Sequence, residues 1–347
     1  MTNWRSLLKN SITRPEQLAP LFPVDPDSIA KTVQRYPMRI NSYYLNLIRE
    51  KGDPLWKQAV PDNRELEDSE GLVDPLGEEK LSPTPGLVHK YPDRALLLIC
   101  SECAMYCRFC TRKRKVGRPE MVITDETIRA GLDYLKKTPA IREVLVSGGD
   151  PLLLSTSRLE EILRALRAIP TIEVIRIGTR VPCTLPMRVT QNLVSMLKKY
   201  HPLYINTHFN HPAELTEEAR HACTRLADAG IPLGCQTVLL KGVNDEPETI
   251  RELMVGLLRM RVKPYYLFQA DLTRGTGHFR TSIACGLDIM RSLIGHVSGM
   301  AVPTYALDAP GGGGKIPLTP NYSGTERKKS GFISYLGKPF YYPDKQG

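Results

Sequence analysis

The sequence predicts an α/β protein whose core is a partial (β/α)6 parallel barrel, preceded by a helical extension and followed by a short C-terminal tail. Two observations support this fold class. Apolar segments of strand length alternate six times with amphipathic segments of helix length, which is typical of a parallel sheet with crossover helices. The chain has 347 residues, enough for one barrel domain of about 250 residues with additions at both ends.

The six strand and helix units lie between residues 95 and 294. Each predicted strand is a short apolar segment, and each predicted helix carries apolar side chains on one face. The pairs are 95–100 with 125–137, 143–147 with 157–168, 173–178 with 190–199, 203–207 with 214–229, 233–240 with 246–259, and 264–269 with 283–294. Because the catalytic groups of such barrels lie on the loops after the strands, motifs at these positions are candidate site residues.

Three segments are predicted along the chain. Residues 1–85 form an N-terminal helical extension with helices at 26–34 and 40–50, and its last part, 53–85, is a connector rich in proline and acidic residues. Residues 86–305 form the barrel core, and residues 306–347 form the C-terminal segment. We expect the extension to wrap around the core rather than to fold alone.

The composition is that of a globular protein, with 41% hydrophobic and 24% charged residues. No segment approaches the roughly 18 to 20 apolar residues of a membrane span, and the N-terminus lacks the apolar core of a secretory signal. We therefore expect a cytoplasmic protein. The net charge of +10 is compatible with nucleic acid, an anionic membrane surface or anionic cofactors, and charge does not choose among them.

Four of the eight cysteines lie within eleven residues, around the end of the first predicted strand. Cys103, Cys107 and Cys110 have the spacing C-x3-C-x2-C, and three thiolates can hold three irons of a [4Fe-4S] cluster while the fourth iron stays open to another ligand. A zinc site that recruits Cys100 as a fourth ligand is the alternative. The position after a barrel strand favours the iron–sulfur interpretation.

Two glycine-containing motifs also follow predicted strands. Residues 147–150, Ser-Gly-Gly-Asp, end the second strand, where a Gly-Gly pair by itself indicates only a tight turn. Four glycines, 311–314, precede Lys315 after a last apolar segment, 302–308. Glycines allow the backbone to approach a bound group closely, and a lysine amine on such a flexible support can attack an aldehyde cofactor.

Six separated motifs lie in a fixed order between residues 86 and 322. They are 86–94, 103–110, 206–212, 264–266, 278–281 and 308–315. Together they closely resemble the lysine 2,3-aminomutase family, a branch of the radical S-adenosylmethionine superfamily. The resemblance implies a barrel of the radical S-adenosylmethionine (radical SAM) type. It also implies an isomerase that uses a [4Fe-4S] cluster, S-adenosyl-L-methionine and pyridoxal 5′-phosphate.

The resemblance implies roles for residues around the cluster. Cys103, Cys107 and Cys110 hold three of its irons. The residues implied to contact S-adenosylmethionine are Phe109, Ser147, Gly148, Gly149, Asp150, His208 and Gln236.

A second set of roles concerns pyridoxal phosphate. The resemblance implies that Lys315 is the catalytic lysine that binds this cofactor covalently. Lys90, Tyr91 and Arg94 are implied to hold its phosphate. Lys90 stands where the family pattern has arginine, so a point charge replaces a bidentate fork.

The implied substrate is free L-lysine, whose 2-amino group moves to C3 to give β-lysine. Arg112 is implied to pair with the substrate carboxylate, a natural use of a guanidinium fork. Asp271 and Asp308 are implied to bind the distal ammonium group. Two carboxylates that converge on one pocket repel each other unless a cation lies between them, so the pair favours lysine over glutamate.

Several alternatives remain at this point. A related aminomutase could act on arginine, on glutamate, or on a lysine side chain carried by translation elongation factor P. An alternative of a different class is a zinc-containing RNA-binding protein, suggested by the basic charge and the cysteines. For partners, we expect a small-molecule substrate, an electron donor such as flavodoxin or ferredoxin, and a homo-oligomer, with no nucleic acid and no membrane.

Overall fold

The computed structural model describes residues 3–118, 123–324 and 330–342. In the N-terminal part, five short helices are joined by loops. They are α1 (Trp4–Lys9), α2 (Pro26–Arg35), α3 (Ser42–Leu45), α4 (Pro54–Ala59) and α5 (Arg64–Glu67). The helix predicted at 26–34 is confirmed as α2, whereas the prediction at 40–50 is wrong beyond the single turn of α3.

The reason for this difference is that the backbone of Ile40 is hydrogen-bonded to other segments. Its N–H donates to the Ile12 carbonyl at 2.9 Å, its carbonyl accepts from the Ile12 N–H at 2.8 Å, and it also bridges to Met105. An extended residue at 40 cannot start a helix. The helix therefore begins one residue after Asn41, whose side chain accepts from the Tyr44 N–H.

The core is a sheet of nine strands that neighbour each other in sequence order. The strands are β1 (Leu87–Tyr91), β2 (Arg94–Cys100), β3 (Glu143–Gly148), β4 (Val174–Gly178), β5 (Leu203–Thr207), β6 (Leu233–Leu239), β7 (Lys263–Gln269), β8 (Thr304–Ala309) and β9 (Gly314–Pro317). Strands β2 to β8 are parallel, and β1 and β9 add antiparallel at the two edges. The predicted partial barrel is confirmed, with segment 302–308 supplying its seventh parallel strand.

Helices connect the parallel strands and cover the outside of the barrel. They are α6 (Asp125–Lys137), α7 (Thr156–Arg167), α8 (Val181–Thr184), α9 (Gln191–Leu197), α10 (Glu217–Asp228), α11 (Pro247–Arg259) and α12 (Ile283–Leu293). Five of them start at a hydroxyl side chain that accepts from the backbone N–H three residues later. These capping residues are Thr124, Ser155, Thr190, Thr216 and Ser282. Such caps are local, which explains why the sequence located these helix starts closely.

The two faces of the barrel strands differ in burial. In β3, Val144 and Val146 are fully buried against the helices, whereas Leu145 and Ser147 on the other face are only half-buried. Strands β4 and β6 show the same alternation. The half-buried face lines the barrel interior, which leaves space for bound groups at the C-terminal ends of the strands.

The two sheet edges approach each other through side chains. The backbone N–H of Lys315 donates to the Tyr91 hydroxyl at 3.2 Å, and Lys90 Nζ lies 3.4 Å from Asp308 Oδ1. These contacts connect β1 with the β8–β9 hairpin and bring the barrel close to closure.

The remaining described segment forms a small separate sheet. It consists of β10 (Ser323–Gly324), β11 (Ser330–Ile333) and β12 (Pro339–Tyr342), paired antiparallel in that order. Among the described residues, no helix has the length and apolar character needed to cross a membrane.

Candidate active site

The three cysteines of the C-x3-C-x2-C motif lie on the loop after β2 and line one common cavity. Residues of the N-terminal extension hold this loop from outside. The N–H of Tyr106 donates to the Arg39 carbonyl at 3.0 Å, and the N–H of Arg108 donates to the Gln58 carbonyl at 2.9 Å. The extension therefore contacts the core where the chemistry is expected, while its boundary at residue 85 stays a prediction.

A buried ion cluster strengthens this attachment. The guanidinium of Arg108 donates to both carboxylate oxygens of Glu65, at 2.9 and 2.5 Å, and Lys113 Nζ lies 2.7 Å from the same carboxylate. All three side chains are at most 5% exposed. A buried carboxylate that pairs with two cations fixes the connector to the cysteine loop, because separating the charges would leave them unpaired in a low-dielectric interior.

The chemistry of the thiols fits an iron–sulfur cluster. Burial raises the pKa of Cys110 to about 11 and raises that of Cys103 well above its usual value, with neighbouring thiols adding to both effects. Thiolates in this cavity therefore need bound cations close to the sulfur atoms. Three irons of one cluster would supply that charge, one to each cysteine.

The zinc alternative fits less well. Within the described ranges, no three His, Cys, Asp or Glu side chains converge on a single point as the ligands of one ion would. Cysteines that each bind a different iron need no such convergence. Cys100, which the zinc interpretation requires as a ligand, is buried at the end of β2 and does not line the cavity.

The Gly-Gly pair after β3 brings two loops into backbone contact. The N–H of Gly149 donates to the Cys100 carbonyl at 2.8 Å, and the N–H of Asp150 donates to the Glu102 carbonyl at 2.7 Å. A Cβ atom at either glycine would lie well under 3.0 Å from one of these carbonyl oxygens, and Gly148 has a φ of 135°. The glycines thus place the Ser-Gly-Gly-Asp loop directly against the cysteine loop.

This contact predicts a large effect of Gly148→Ala. We expect a loss of more than about 2 kcal/mol in the free energy of unfolding, because the new methyl group combines a strained φ with a backbone clash. Urea unfolding would measure it. Gly178→Ala is the matched control, since its Cβ would meet its neighbours at 3.6 Å, and it should change the free energy by less than about 1 kcal/mol. Equal effects of the two changes would contradict the proposed clash.

The Asp150 side chain is hydrogen-bonded to the loop that follows β4. Its carboxylate accepts from the Thr179 hydroxyl at 2.6 Å, from the Arg180 N–H at 2.7 Å and from the Leu152 N–H at 3.1 Å. Burial raises the pKa of this carboxyl group despite these bonds. A contact of Asp150 with S-adenosylmethionine remains a prediction. In the structure, its main effect is to position Arg180.

Arg180 is a site residue that the sequence analysis missed. Its Nη1 donates to the Cys107 sulfur at 2.8 Å, and its Nη2 donates to Gln58 at 2.6 Å and to Glu214 at 2.7 Å. Glu214 is completely buried and also accepts from the Tyr44 hydroxyl at 2.7 Å. The only signal in the sequence was the position of Arg180 after a barrel strand. Its partners come from segments far apart in the chain.

Replacement of Arg180 by glutamine is expected to destabilise the protein by about 3–5 kcal/mol, because the buried Glu214 carboxylate loses its cation. The double variant Arg180→Gln with Glu214→Gln should recover part of this loss, since no charge is then left unpaired. Urea unfolding of the two variants and the parent would test this. A double variant that is less stable than the single variant would show that the ion pair is not the cause.

His208 and Phe109 lie beside Arg180. The His208 ring is 5.4 Å from the Phe109 ring, and the Arg180 guanidinium is 5.1 Å from the Phe109 ring. Burial, together with the charge of Arg180, lowers the pKa of His208 to about 3, so its imidazole is neutral at physiological pH. A neutral ring can donate one hydrogen bond and accept another. Its Nε2 is 3.0 Å from the Asn210 side-chain oxygen.

The remaining residues implied to contact S-adenosylmethionine line the same interior. Ser147 lies near the end of β3, and Gln236 lies within β6 opposite Tyr266 of β7. Both are on the half-buried face of their strands. Their roles stay predictions, but their placement on the barrel interior is compatible with them.

Lys315 lies on β9 directly opposite Asp308 of β8. Its Nζ is 3.1 Å from Asp308 Oδ2 and 5.2 Å from the centre of the Phe268 ring. The glycine run before it is the turn of this hairpin, and Gly312 has a φ of 91°, a backbone conformation that favours glycine. The sequence suggested a flexible support, whereas the structure shows the lysine on a paired strand.

The surroundings of Lys315 fit pyridoxal phosphate. Arg94 stacks on the Tyr91 ring at 4.0 Å, and Lys90 lies 5.6 Å from the same ring. Two cations that flank one tyrosine beside the lysine can bind a phosphate group. Arg94 also pairs with Asp93 at 2.8 Å, and Lys90 with Asp308 at 3.4 Å.

Asp271 lies on the loop after β7 and faces the same pocket. Burial raises the pKa of its carboxyl group to about 7, and the negative charge of Asp308 adds to this shift. Asp308 is paired with two lysines, but the Asp271 carboxylate accepts no hydrogen bond from any residue that the structure describes. The two acids lie near each other, as the sequence predicted, and Asp271 forms no ion pair among the described residues, although Lys315 and Lys90 offset part of its pKa shift.

Asp68 holds this loop in place, and the sequence analysis did not identify it. Its carboxylate accepts from the backbone N–H groups of Gly275, Thr276 and Gly277 at 2.9, 3.1 and 2.9 Å. These hydrogen bonds lower the pKa of the Asp68 carboxyl group against the opposing effect of burial. The acid-rich connector thus positions the segment that carries Asp271.

Arg112 has a partner that the sequence analysis did not foresee. Its Nε and Nη2 donate to the two carboxylate oxygens of Glu78 at 3.0 and 2.5 Å. The predicted pairing with a substrate carboxylate would therefore replace or share this bidentate bond. The sequence contained one signal, since Glu78 belongs to the acid-rich connector.

The sequence of the chain matches two protein-family models and several known proteins. Residues 97–254 match the model of the radical SAM superfamily, and residues 290–330 match that of lysine-2,3-aminomutase. The chain is 50% identical over 326 residues to the L-lysine 2,3-aminomutase of Acetoanaerobium sticklandii, a match that spans 92% of this chain and 79% of the relative. The chain belongs to the lysine 2,3-aminomutase family.

Members of this family act on different amino acids. The L-lysine 2,3-aminomutase of Methanococcus maripaludis is 54% identical over 299 residues, which span 85% of this chain and 69% of the relative. The glutamate 2,3-aminomutase of Clostridioides difficile is 44% identical over 325 residues, 92% of this chain and 77% of the relative. Membership of the lysine 2,3-aminomutase family therefore leaves the choice of substrate to the residues of the pocket.

Proposed function

We propose that this protein is an isomerase that moves the 2-amino group of free L-lysine to C3 and so forms β-lysine. It uses a [4Fe-4S] cluster, S-adenosylmethionine and pyridoxal phosphate. The observation that supports lysine is the Asp271 carboxylate, which lies near Asp308 and forms no ion pair within the described residues.

The charges of the pocket support this choice. Lys90 and Lys315 both lie within 3.4 Å of Asp308, so that carboxylate is neutralised. Asp271 has no ion-pair partner among the described residues, and the charges of Lys315 and Lys90 offset only part of the effect of burial and Asp308, so its ionised form is poorly stabilised. The distal ammonium group of lysine would supply the missing cation, whereas glutamate would add a third carboxylate to the same pocket. Arginine also brings a cation, so it is the closest competitor.

The protein residues bind and orient the reactants. When bound, the cluster and S-adenosylmethionine would supply the radical chemistry, and pyridoxal phosphate would supply the aldehyde that binds the amino group. Lys315 is the amine that holds the cofactor, and the Tyr91 hydroxyl fixes its backbone N–H. Arg112 is placed to bind an α-carboxylate through its guanidinium.

Apolar side chains exclude water between the cluster and the substrate pocket. Phe109 of the cysteine loop packs in one buried group with Leu240, Val243, Ala270 and Phe279. Ala270 directly precedes Asp271, so this group reaches from the cluster to the predicted ammonium site. This apolar group keeps solvent away from reactive species. By excluding water, it also strengthens the electrostatic attraction between the pocket carboxylates and the substrate ammonium group.

The raised pKa of Asp271 predicts how substrate binding depends on pH. The ionised carboxylate binds an ammonium group, and at a pKa of about 7 its ionised fraction falls about tenfold between pH 8 and pH 6. We therefore expect KM for lysine to rise about tenfold over this range. In Asp271→Asn, KM should be high and nearly independent of pH. The same pH dependence in parent and variant would exclude Asp271 as its source.

The decisive test is a comparison of substrates under anaerobic conditions. The protein is loaded with iron, sulfide, pyridoxal phosphate and S-adenosylmethionine, reduced, and offered lysine, arginine, glutamate or elongation factor P. Products are separated by mass-resolved chromatography. Fastest turnover of lysine to β-lysine supports the proposal, and faster turnover of another substrate overturns the assignment.

Two further expectations belong to this proposal. An electron donor such as flavodoxin or ferredoxin reduces the cluster, and the protein forms a homo-oligomer in the cytoplasm. The exposed apolar side chains of the β11–β12 hairpin, among them Phe332, Ile333 and Phe340, support self-association.

A further inference from the structure

A concave surface of about 800 Å³ lies where the first forty residues meet the cysteine loop. Four basic residues and one acidic residue contribute charges to it. These residues are Arg5, Lys9, Arg14, Arg39 and Glu102. We call this region the basic surface.

Most of the positive charge of the basic surface is uncompensated. Glu102 is bound by the guanidinium of Arg39. Arg5, Lys9 and Arg14 are exposed, and none of them forms an ion pair within residues 3–118, 123–324 and 330–342. Three unpaired cations around one concave region attract a ligand or partner that carries several negative charges.

The basic surface is joined to the cysteine loop by short contacts. Arg39 Nη1 donates to the carbonyl oxygen of Cys103 at 3.3 Å, and the Arg39 carbonyl accepts from the Tyr106 N–H at 3.0 Å. Backbone bridges from Ile12 to Ile40 and from Ile40 to Met105 continue the same connection. The floor of the surface therefore touches the residue whose thiolate is predicted to hold an iron.

The connector covers another side of the cysteine loop. Arg108 and Lys113 are buried beneath the connector and paired with Glu65, and Arg112 is paired with Glu78. On that side, the N-terminal extension separates the loop from solvent. On the basic surface, Arg39 and Glu102 are exposed in part and lie next to Cys103, so a protein bound there would contact the neighbours of this cysteine.

We propose that the basic surface is the docking site of an acidic one-electron carrier protein that reduces the cluster. This inference rests on the proposed function, which requires one electron from outside the chain to start the reaction. In the step, the carrier is oxidised by one electron and the cluster is reduced by one, and no atom is transferred. Charge complementarity selects an acidic carrier and orients it towards Cys103.

The test compares two ways of reducing the fully loaded protein. The triple variant Arg5→Gln, Lys9→Gln, Arg14→Gln removes three positive charges without touching Arg39 or the cluster loop. Stopped-flow measurement with reduced flavodoxin, an acidic carrier, should show at least a tenfold slower bimolecular reduction at low salt and a weaker salt dependence. Reduction by photoreduced 5-deazariboflavin, which is small and uncharged, should be unchanged.

A matched control removes the same charge elsewhere. Lys137 at the end of α6, Lys198 directly after α9 and Arg259 at the end of α11 lie outside the N-terminal extension, are exposed and form no ion pair among the described residues. Their triple change to glutamine should leave reduction by flavodoxin within about twofold of the parent rate.

Three outcomes would overturn the proposal. They are an unchanged rate with flavodoxin, an equal loss in both triple variants, and an equal loss with deazariboflavin, which would show that the basic surface only supports the cluster loop. Failure of the proposed function is distinguishable, because the parent would then be reduced and would cleave S-adenosylmethionine without forming β-lysine.

Discussion

Lys315→Ala is expected to lose bound pyridoxal phosphate and to reduce β-lysine formation by more than about a thousandfold, while its iron and sulfide content stays that of the parent. The side chain lies opposite Asp308 on a paired strand, and its amine is 3.1 Å from that carboxylate. No water or loop movement can replace an amine that forms the covalent bond to the cofactor. The absorption of bound pyridoxal phosphate, metal analysis and the β-lysine assay measure the three quantities.

Lys90 is the residue that could weaken this effect. Its Nζ lies 3.4 Å from Asp308 Oδ1, and Lys315 Nζ lies at the same distance from that oxygen. Any residual cofactor in Lys315→Ala should therefore disappear in the double variant with Lys90→Ala. Lys338→Ala, a change in the exposed tail, is the control and should match the parent. Full cofactor content with more than a tenth of parental turnover in Lys315→Ala would contradict the assignment.

Cys107→Ala is expected to give the opposite pattern, with loss of the cluster and of S-adenosylmethionine cleavage but with pyridoxal phosphate still bound. Two thiolates remain, and the third iron would face the Arg180 guanidinium, which lies 2.8 Å from the lost sulfur atom. A cation at that position cannot replace a thiolate ligand. Iron analysis, electron paramagnetic resonance of the reduced protein and detection of 5′-deoxyadenosine are the measurements.

Cys223→Ala is the matched control for this change. Cys223 is completely buried in α10 and lies outside the cavity of the cysteine loop, so its replacement should reduce stability only slightly and leave iron binding intact. A Cys107→Ala protein that keeps the parental iron content and cleaves S-adenosylmethionine would rule out Cys107 as a ligand. A loss of pyridoxal phosphate together with iron would instead point to general misfolding.

Much of the fold could be predicted because its signals are local. Helix α6 has the bounds predicted for it, since Thr124 caps it and apolar residues recur on one face. The strands of the barrel were found as short apolar segments between such helices. The helix predicted at 40–50 failed because the backbone of Ile40 pairs with Ile12 and Met105, and no local pattern encodes those partners.

The residues of the candidate site also fall into two groups, those that could be recognised from local sequence and those that could not. The cysteine spacing, the Ser-Gly-Gly-Asp segment and the glycine run before Lys315 are each contained in a few residues, so they could be recognised directly. Arg180, Glu78 and Asp68 were missed because each acts on a partner that is remote in sequence. Glu78, for example, occupies the guanidinium of Arg112 across thirty-four positions of the chain.

The sequence alone therefore determined the barrel, the cysteine motif and the identity of the lysine that is proposed to hold the cofactor. Only the tertiary structure decided which charges remain unpaired. Asp308 forms ion pairs with Lys90 and Lys315, whereas Asp271 forms none among the described residues, and three basic residues of the extension stay unpaired beside the cysteine loop. The physical reason is that charge compensation depends on distances of a few ångströms between segments far apart in the chain, whereas motifs and amphipathic periodicity depend on neighbours.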